Sequence, residues 1–432
     1  MDLSIEINQS YISDTETIPQ YGKTVCLIGR SEKGQQKQPY LVKTYERAKE
    51  LFGEGELVEA FQECKNAGGH SIFLIRSGDN DQILSEEDMQ IAYNSIADMS
   101  IHIVCPVGIY LDDVHNYALQ LARSCKRAND QYGDRVGVIG VKPIQTPIEE
   151  NLFQHVNSLI TNSTARNGFF DYDGSDIGYL ISVVASELEF VHNSSTSYSV
   201  NGAAAYTGHL ARLRPGESPL NKVILGARNL RYSFPTYNVE RIDLVEGGEQ
   251  VLEIILEKKP ERPIYVRDLD YNTLKEGEDY EIDFDRWALR WLRPIGPSDT
   301  VIIVYSINDY KALSSAGYTT FSDHIDRGVV VESSSTLAKR NSLTDVNVVR
   351  TLQSIVYTIK HVCQDLIGET VSQVLMVEDF IRNYLDELVS FRYIYSYQVE
   401  FSVENFHTVN INLSITTSAG VKTISVGIKV SS

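Results

Sequence analysis

The residues Gly29-Arg30-Ser31-Glu32-Lys33-Gly34 follow a short apolar run, where a phosphate-binding loop would turn from strand to helix. That chemistry requires Lys and then Ser or Thr directly after the second glycine, to reach phosphate oxygens and a magnesium ion. Gln35 and Gln36 stand there instead, so the segment reads as a strand-end turn. Asp171-Tyr172-Asp173-Gly174-Ser175-Asp176 opens like a calcium loop. Such a loop needs glycine at its sixth place and a bidentate Glu at its twelfth. Those places hold Asp176 and Ser182, which favours a capped turn before the helix-like apolar run Ile177–Val191. The nine histidines are scattered, without the i,i+4 spacing to His or Cys that builds a metal site. No G-x-S-x-G elbow is present. Glu86-Glu87-Asp88 and Asp112-Asp113 precede apolar-periodic stretches, where acids stabilise the first turn of a helix through its dipole. The sequence thus names no catalytic residue, no metal ligand and no cofactor.

What stands out instead is backbone chemistry near the chain ends. Leu3, Ile5 and Ile7 alternate with Asp2, Ser4, Glu6 and Asn8. Val409, Ile411, Leu413 and Ile415 alternate with polar residues, and Ile424, Val426, Ile428 and Val430 do so again. Strict alternation marks a half-buried strand. A strand hung outside a compact fold carries unpaired N–H and C=O groups and recruits another chain. The alternative is that these strands complete the chain's own sheet.

The elements that must position these strands come from a chain of 432 residues, long enough for two to four domains. Asp and Glu number 58 against 39 Lys and Arg, a net charge of −19. That balance argues against nucleic acid, which wants a basic footprint, and against an anionic membrane surface. No apolar run reaches the length of a membrane helix, and MDLSIEINQS does not read as a secretory signal. The five cysteines are scattered and mostly embedded in apolar stretches, as buried free thiols of a reducing compartment would be.

Residues 23–228 alternate strands (Thr24–Gly29, Ser71–Arg76, Ile101–Val107, Arg135–Val141) with helices (Tyr45–Phe52, Leu57–Ala67, Asp112–Arg127), the pattern of an α/β layer with parallel pairing. Asn201–Gly208 is rich in small residues and suits a closely packed helix or an interface. Residues 229–309 change to short strands punctuated by turns, predicting an inserted all-β module that holds both tryptophans. Residues 310–392 return to α/β with two amphipathic helices, 345–367 and 369–390. Residues 393–432 read as β-strands and an arm, as do residues 1–22 with their linker.

This order of pieces resembles the contractile tail sheath proteins of bacteriophages and related contractile injection systems. The resemblance rests on the Gly29 to Gly34 turn after the first buried strand, Pro39 to Val42, Leu51-Phe52-Gly53, and Gly68-Gly69 leading to Arg76. It continues through Asn201–Gly208, Ser218-Pro219-Leu220-Asn221-Lys222, Gly317 to Phe321, Gly328–Val331 and Thr336-Leu337-Ala338. It covers most of the chain outside 229–309.

The resemblance implies a mixed-sheet α/β core with extended N- and C-terminal β arms. It implies a subunit that polymerises with itself as stacked six-fold rings around an inner tail tube, and that contracts by rearrangement without nucleotide or metal. The two arms would be donated to a sheet of another subunit. The tube protein, the baseplate and a tail terminator would be the other partners, with assembly in the host cytoplasm and residence in the virion tail. Lys339, Arg340 and Arg382 are the candidate tube contacts, and 229–309 would face outward. Two other readings stand beside it: a cytosolic α/β enzyme with a β insertion, and a tail or baseplate structural protein that does not contract.

Overall fold

The computed structural model describes residues 21–111, 117–131, 135–144, 155, 158–159, 171–172, 175–192, 196–231, 236–246, 249–257, 260–269, 272–293, 300–307, 313–314, 316–324, 326–338, 343–364, 371–404 and 408–417. The first third runs β1 (Thr24–Arg30), β2 (Pro39–Val42), α1 (Tyr45–Phe52), α2 (Glu56–Asn66), β3 (Ser71–Gly78), α3 (Glu86–Asn94), β4 (Ile103–Pro106), α4 (Tyr117–Gln131) and β5 (Val136–Gly140). A small hairpin, β6 (Asp171–Tyr172) and β7 (Ser175–Asp176), leads to β8 (Ile181–Val184), β9 (Glu187–His192), β10 (Thr196–Asn201), α5 (Ala203–Arg212) and β11 (Ala227–Leu230).

Next come β12 (Thr236–Asp243), β13 (Val245–Glu246), β14 (Glu249–Gln250), β15 (Glu253–Ile255), β16 (Glu261–Asp268), β17 (Thr273–Leu274), β18 (Tyr280–Asp283), β19 (Ala288–Trp291) and β20 (Thr300–Ile307). The chain continues through β21 (Tyr318–His324), β22 (Gly328–Ser333), α6 (Val346–Gln364), α7 (Val371–Ser390), β23 (Ile394–Glu404) and β24 (Thr408–Thr417). It forms two compact units. One comprises Met1–Pro143, Thr164–Arg231 and Gly317–Ser432, and the other Ile144–Ser163 and Tyr232–Ala316.

The larger unit is built on an eight-stranded sheet in the order β2-β3-β1-β4-β5-β8-β21-β22. Its centre is parallel, and β2 and β22 pair antiparallel at the two edges. Parallel strands covered on both faces read as continuous apolar runs, which is why TVCLIG and VGVIG carry almost no polar residue. Val25 and Leu27 face the core cluster shared with α2 and α5. Alternation puts Cys26 and Ile28 on the opposite face.

Local signals set the helices. Thr44 Oγ1 accepts from the Arg47 N–H at the start of α1, and Gly53 (φ 75°) ends it. Ser85 and Asp88 form a capping box on α3, so the acids at 86–88 serve that helix end. Asp112 and Asp113 lie outside the described residues. Four of the five free thiols are buried, at Cys26, Cys64, Cys105 and Cys125.

The helix-like reading of Ile177–Val191 is corrected: the segment is a 3-10 turn followed by β8 and β9. Every residue of β8 is buried, because the strand lies between β5 and β21. A short, wholly apolar stretch has the same pattern in a central strand as in a core helix. Glu187, only 1% exposed, is held by Arg231 at 2.7 Å.

The smaller unit carries a four-stranded sheet, β12-β20-β16-β17, and a three-stranded sheet, β15-β19-β18. Leu244, Ile254, Val266, Leu289, Trp291 and Ile303 belong to its core. Buried Glu240 accepts a hydrogen bond from the Tyr305 hydroxyl and another from the Glu257 N–H at 2.9 Å. In the larger unit, α6, α7 and the β23–β24 hairpin share a separate core around Ile355, Val362, Ile381 and Leu385.

Two buried histidines give the larger unit an acid-labile term. Burial, with Arg135 and Arg350 nearby, lowers the His102 pKa to about 3. Burial, with Arg212, Arg350 and Lys222, does the same for His209. Both stay neutral in the fold while the unfolded chain takes up protons below about pH 6.5. Stability therefore falls as pH drops from 6.5 towards 3, by about 2 kcal/mol per histidine at pH 5. Buried Glu63 acts oppositely: its carboxyl is pushed well above the usual range by desolvation, then by Glu59, so lowering the pH towards 4.5 favours the fold. Calorimetric melts should show a midpoint that drops between pH 7 and 5, and a steeper drop in Glu63→Gln. A midpoint flat over that interval in Glu63→Gln, where the opposing carboxyl is gone, would rule the histidine assignment out.

Candidate functional site

The strand-exchange candidates that fall among the described residues lie on β24. Val409, Ile411, Leu413 and Ile415 are in register with Val403, Phe401, Val399 and Tyr397 of β23. Ile411, Leu413 and Ile415 pack on the α6–α7 core, while Asn412 and Ser414 between them are exposed. The alternation arises because one face of a two-stranded ribbon is covered and the other is wet. Among the described residues β23 and β24 pair only with each other, so each leaves its outer edge without a partner strand. Leu3, Ile5, Ile7, Ile424, Val426, Ile428 and Val430 lie outside the described residues, as do Lys339 and Arg340.

Arg382 is on α7. Its guanidinium donates to Glu378 Oε1 (2.9 Å from Nε, 2.6 Å from Nη2) and to the Val399 carbonyl of β23 at 3.2 Å. It therefore ties the helix to the terminal hairpin. Tyr397 does the same, donating from its hydroxyl to Asp386 at 2.8 Å.

The turn after β1 is not a phosphate cradle. Such a cradle points backbone N–H groups at the anion. Here the Lys33 N–H is spent on the Phe52 carbonyl (3.0 Å) and the Glu32 N–H on the Glu54 carbonyl (3.2 Å). The Arg76 guanidinium enters from β3 and donates to the carbonyls of Ser31 (3.1 Å) and Gly34 (2.8 Å). Near the other rejected motif, Asp176 Oδ1 accepts from the Gly178 N–H at 2.9 Å, a local turn that leads into the 3-10 turn. Among the described residues no three His, Cys, Asp or Glu side chains gather as a metal site.

The sequence reading missed a crevice. The chain passes from β1 to β3 on one side and then crosses to β4 on the other. Such a switch point leaves a gap outside the carboxyl ends of parallel strands. A cavity of about 250 Å³ lies there, lined by Cys105, Gly108, Gly140, Asn201 and Ala203 and by the face of α2 that carries Glu56, Glu59 and Glu63. Arg30 Nη2 donates to two of the lining residues, to Glu56 Oε2 at 2.8 Å and to the Gly108 carbonyl at 3.4 Å. The available signal was an acid stripe at i, i+3 and i+7 of the helix, with Glu63 falling among the apolar positions Ala60, Phe61 and Cys64.

No protein-family model and no curated protein matches the sequence. Solved structures do match. The helical sheath of the anti-feeding prophage (AFP) in its contracted state is 12% identical over 95% of this chain and 94% of that one, with a TM-score of 0.56. A chain of the six-fold symmetrised AFP baseplate is 11% identical over 96% and 97%, with a TM-score of 0.57. The sheath tail protein of Listeria innocua is 11% identical over 96% of each chain, with a TM-score of 0.57. The chain has the mixed α/β fold of contractile tail sheath proteins over nearly its whole length.

Proposed function

We propose that the chain is the structural subunit of a contractile tail sheath, in a phage tail or a related injection system. The observation that carries this reading is the two-sided coverage of a contracted helical sheath: the match spans 95% of this chain and 94% of that one. The role is structural rather than catalytic. Subunits stack as six-fold rings around an inner tube, assembled in the host cytoplasm, and contraction rearranges them without breaking the mesh. Residues 1–22 and the strands within 393–432 serve as the linking arms, and the outer edges of β23 and β24 are where strands of neighbouring copies would add. Lys339, Arg340 and Arg382 are the proposed tube contacts, the last sharing its charge with Glu378. The β-rich stretch 229–309 is proposed to face outward. The baseplate and a terminator cap the two ends of the polymer.

A second reading, a baseplate or tail subunit that does not contract, draws on the match to a chain of the AFP baseplate. Morphology separates the two. Negative-stain microscopy of the concentrated full-length protein should show hollow, ridged tubes of uniform width, whereas closed rings would favour the baseplate. Removing residues 1–20 should leave a folded subunit, with an unchanged melting curve, that no longer forms tubes. If the shortened chain unfolds, the segment belongs to its own core and arm exchange is wrong.

A further inference from the structure

Glu63 is a carboxyl that the fold does not use. It is 2% exposed and makes no side-chain hydrogen bond among the described residues, yet it lines the switch-point cavity. A carboxylate buried without a partner is costly, and the group escapes the cost by staying protonated. A fold with no use for the acid would carry Leu or Met at such a place. Here the acid belongs to a stripe: Glu56, Glu59 and Glu63 all line the cavity. One end of the stripe already shows what it holds, since the Arg30 guanidinium sits on Glu56.

The other walls decide the sign and shape of a ligand. The N-terminus of α5 reaches the cavity through Ala203 and Ala204 but is blunted as an anion site. The Ala203 N–H is taken by Asn201 Oδ1 at 3.0 Å and the Gly202 N–H by the Ser186 carbonyl at 3.0 Å. Ala60, Ile109 and Pro143 give an aliphatic lining. Glu56 is paired with Arg30 and Glu63 rests protonated, so what the crevice offers a ligand is carboxyl oxygen, and its volume accepts a charged head on an apolar stem.

We infer that this crevice is a binding site for a primary alkylammonium group, with Glu63 as the anchoring carboxylate and the aliphatic wall of Ala60, Ala203 and Ala204 receiving the stem. A compact ammonium brings three donors to carboxylate and carbonyl oxygens. Binding exchanges a proton for the cation: the Glu63 O–H bond breaks, the proton leaves to solvent, and the carboxylate pairs with the ammonium. Affinity therefore rises with pH until the amine itself deprotonates. The titratable and charged groups around Glu63 are Glu59 and Cys64 on α2, Cys105 on β4, Tyr110 beyond β4, and the Arg30–Glu56 pair. Burial holds the Cys105 thiol up at about 12, so it stays neutral throughout.

The test is titration calorimetry of the isolated full-length chain with 1,5-diaminopentane at pH 7, in two buffers of different ionisation enthalpy. The expected result is saturable binding at a single site with net proton release, weakened roughly 10- to 100-fold by Glu63→Gln. Gln keeps the shape of the neutral acid, so the variant should fold, and its melting curve verifies that. The unaltered chain gives an independent readout, a diamine-induced rise in melting midpoint that grows with pH. No saturable heat up to about 10 mM, a Gln variant of equal affinity, or heats independent of buffer would each overturn the site.

Two sources could supply the group, a free polyamine or a lysine side chain of a neighbouring copy. Diamine added to assembled polymer separates them. Loosening points to the lysine, and unaltered polymer points to the free amine. Because binding is read on the isolated subunit, it stands or fails separately from the sheath reading.

Discussion

Gly208→Ala is expected to destabilise the protein by about 3 kcal/mol, a large effect for one methyl group. Gly208 lies inside α5, where alanine would ordinarily gain about 1 kcal/mol in helix propensity. The sign reverses because α5 crosses α2 at this point. A Cβ on Gly208 would press into the Cys64 carbonyl, 2.8 Å from its carbon and 3.0 Å from the Cys64 Cα. Those are backbone atoms of a buried helix and cannot rotate aside as a side chain would. The two helices must separate, which also opens the wall between Glu63 and Ala203. Chemical denaturation should show a lower midpoint with an unchanged slope. A variant as stable as the parent would mean that the helices do not approach this closely.

Arg350→Ala should cost a similar amount, about 3 kcal/mol, while Arg350→Met should cost distinctly less. Arg350 is 0% exposed, and its Nη2 donates to the carbonyls of Leu210 (2.7 Å) and Leu213 (3.2 Å). Its Nε and Nη1 have no partner among the described residues, and burial pulls its pKa down. A buried guanidinium is tolerated here because it faces the negative end of α5. Lys23 Nζ shares that task, donating to the Arg212 carbonyl at 2.9 Å. Two cations satisfy carbonyls that the last turn of a helix leaves open.

Truncation to Ala opens a void and strands those carbonyls. Met fills the void and removes an ion whose burial was itself unfavourable, so only the carbonyls are lost. The same α6 turn holds the entry of the chain: Tyr21 Oη donates to Gln353 Oε1 at 2.7 Å, and a Cβ on Gly22 would lie 2.8 Å from Arg350 Nη2. Thermal melts of the two variants give the comparison. Equal losses for Ala and Met would assign the whole effect to the hydrogen bonds.

Where one local pattern admitted one structure, the residues were legible. The helix expected at Tyr45–Phe52 is α1 with those bounds, and its cap Thr44 and its stop Gly53 are local to it. The alternation of Val409 to Ile415 placed a strand with one covered face. Gln35 and Gln36 ruled out phosphate chemistry by side-chain type alone. Ile177–Val191 was misread because its pattern depends on what lies on either side. Ser182 is buried, with its hydroxyl donating to the Ser335 carbonyl at 2.9 Å across 153 residues, a partner no window could reveal.

Sequence by itself therefore determined the α/β order of residues 23–141, the strand character of residues 409–415 and the absence of a local catalytic motif. These follow from spacing along the backbone, which a chain carries whether folded or not. The tertiary structure alone decided that Glu63, Cys105 and Asn201 meet around one cavity, and that Gly208 touches Cys64. It also decided that Arg350 caps a helix 140 residues away. Those facts depend on which strand crosses beside which, and long-range packing and burial set that choice.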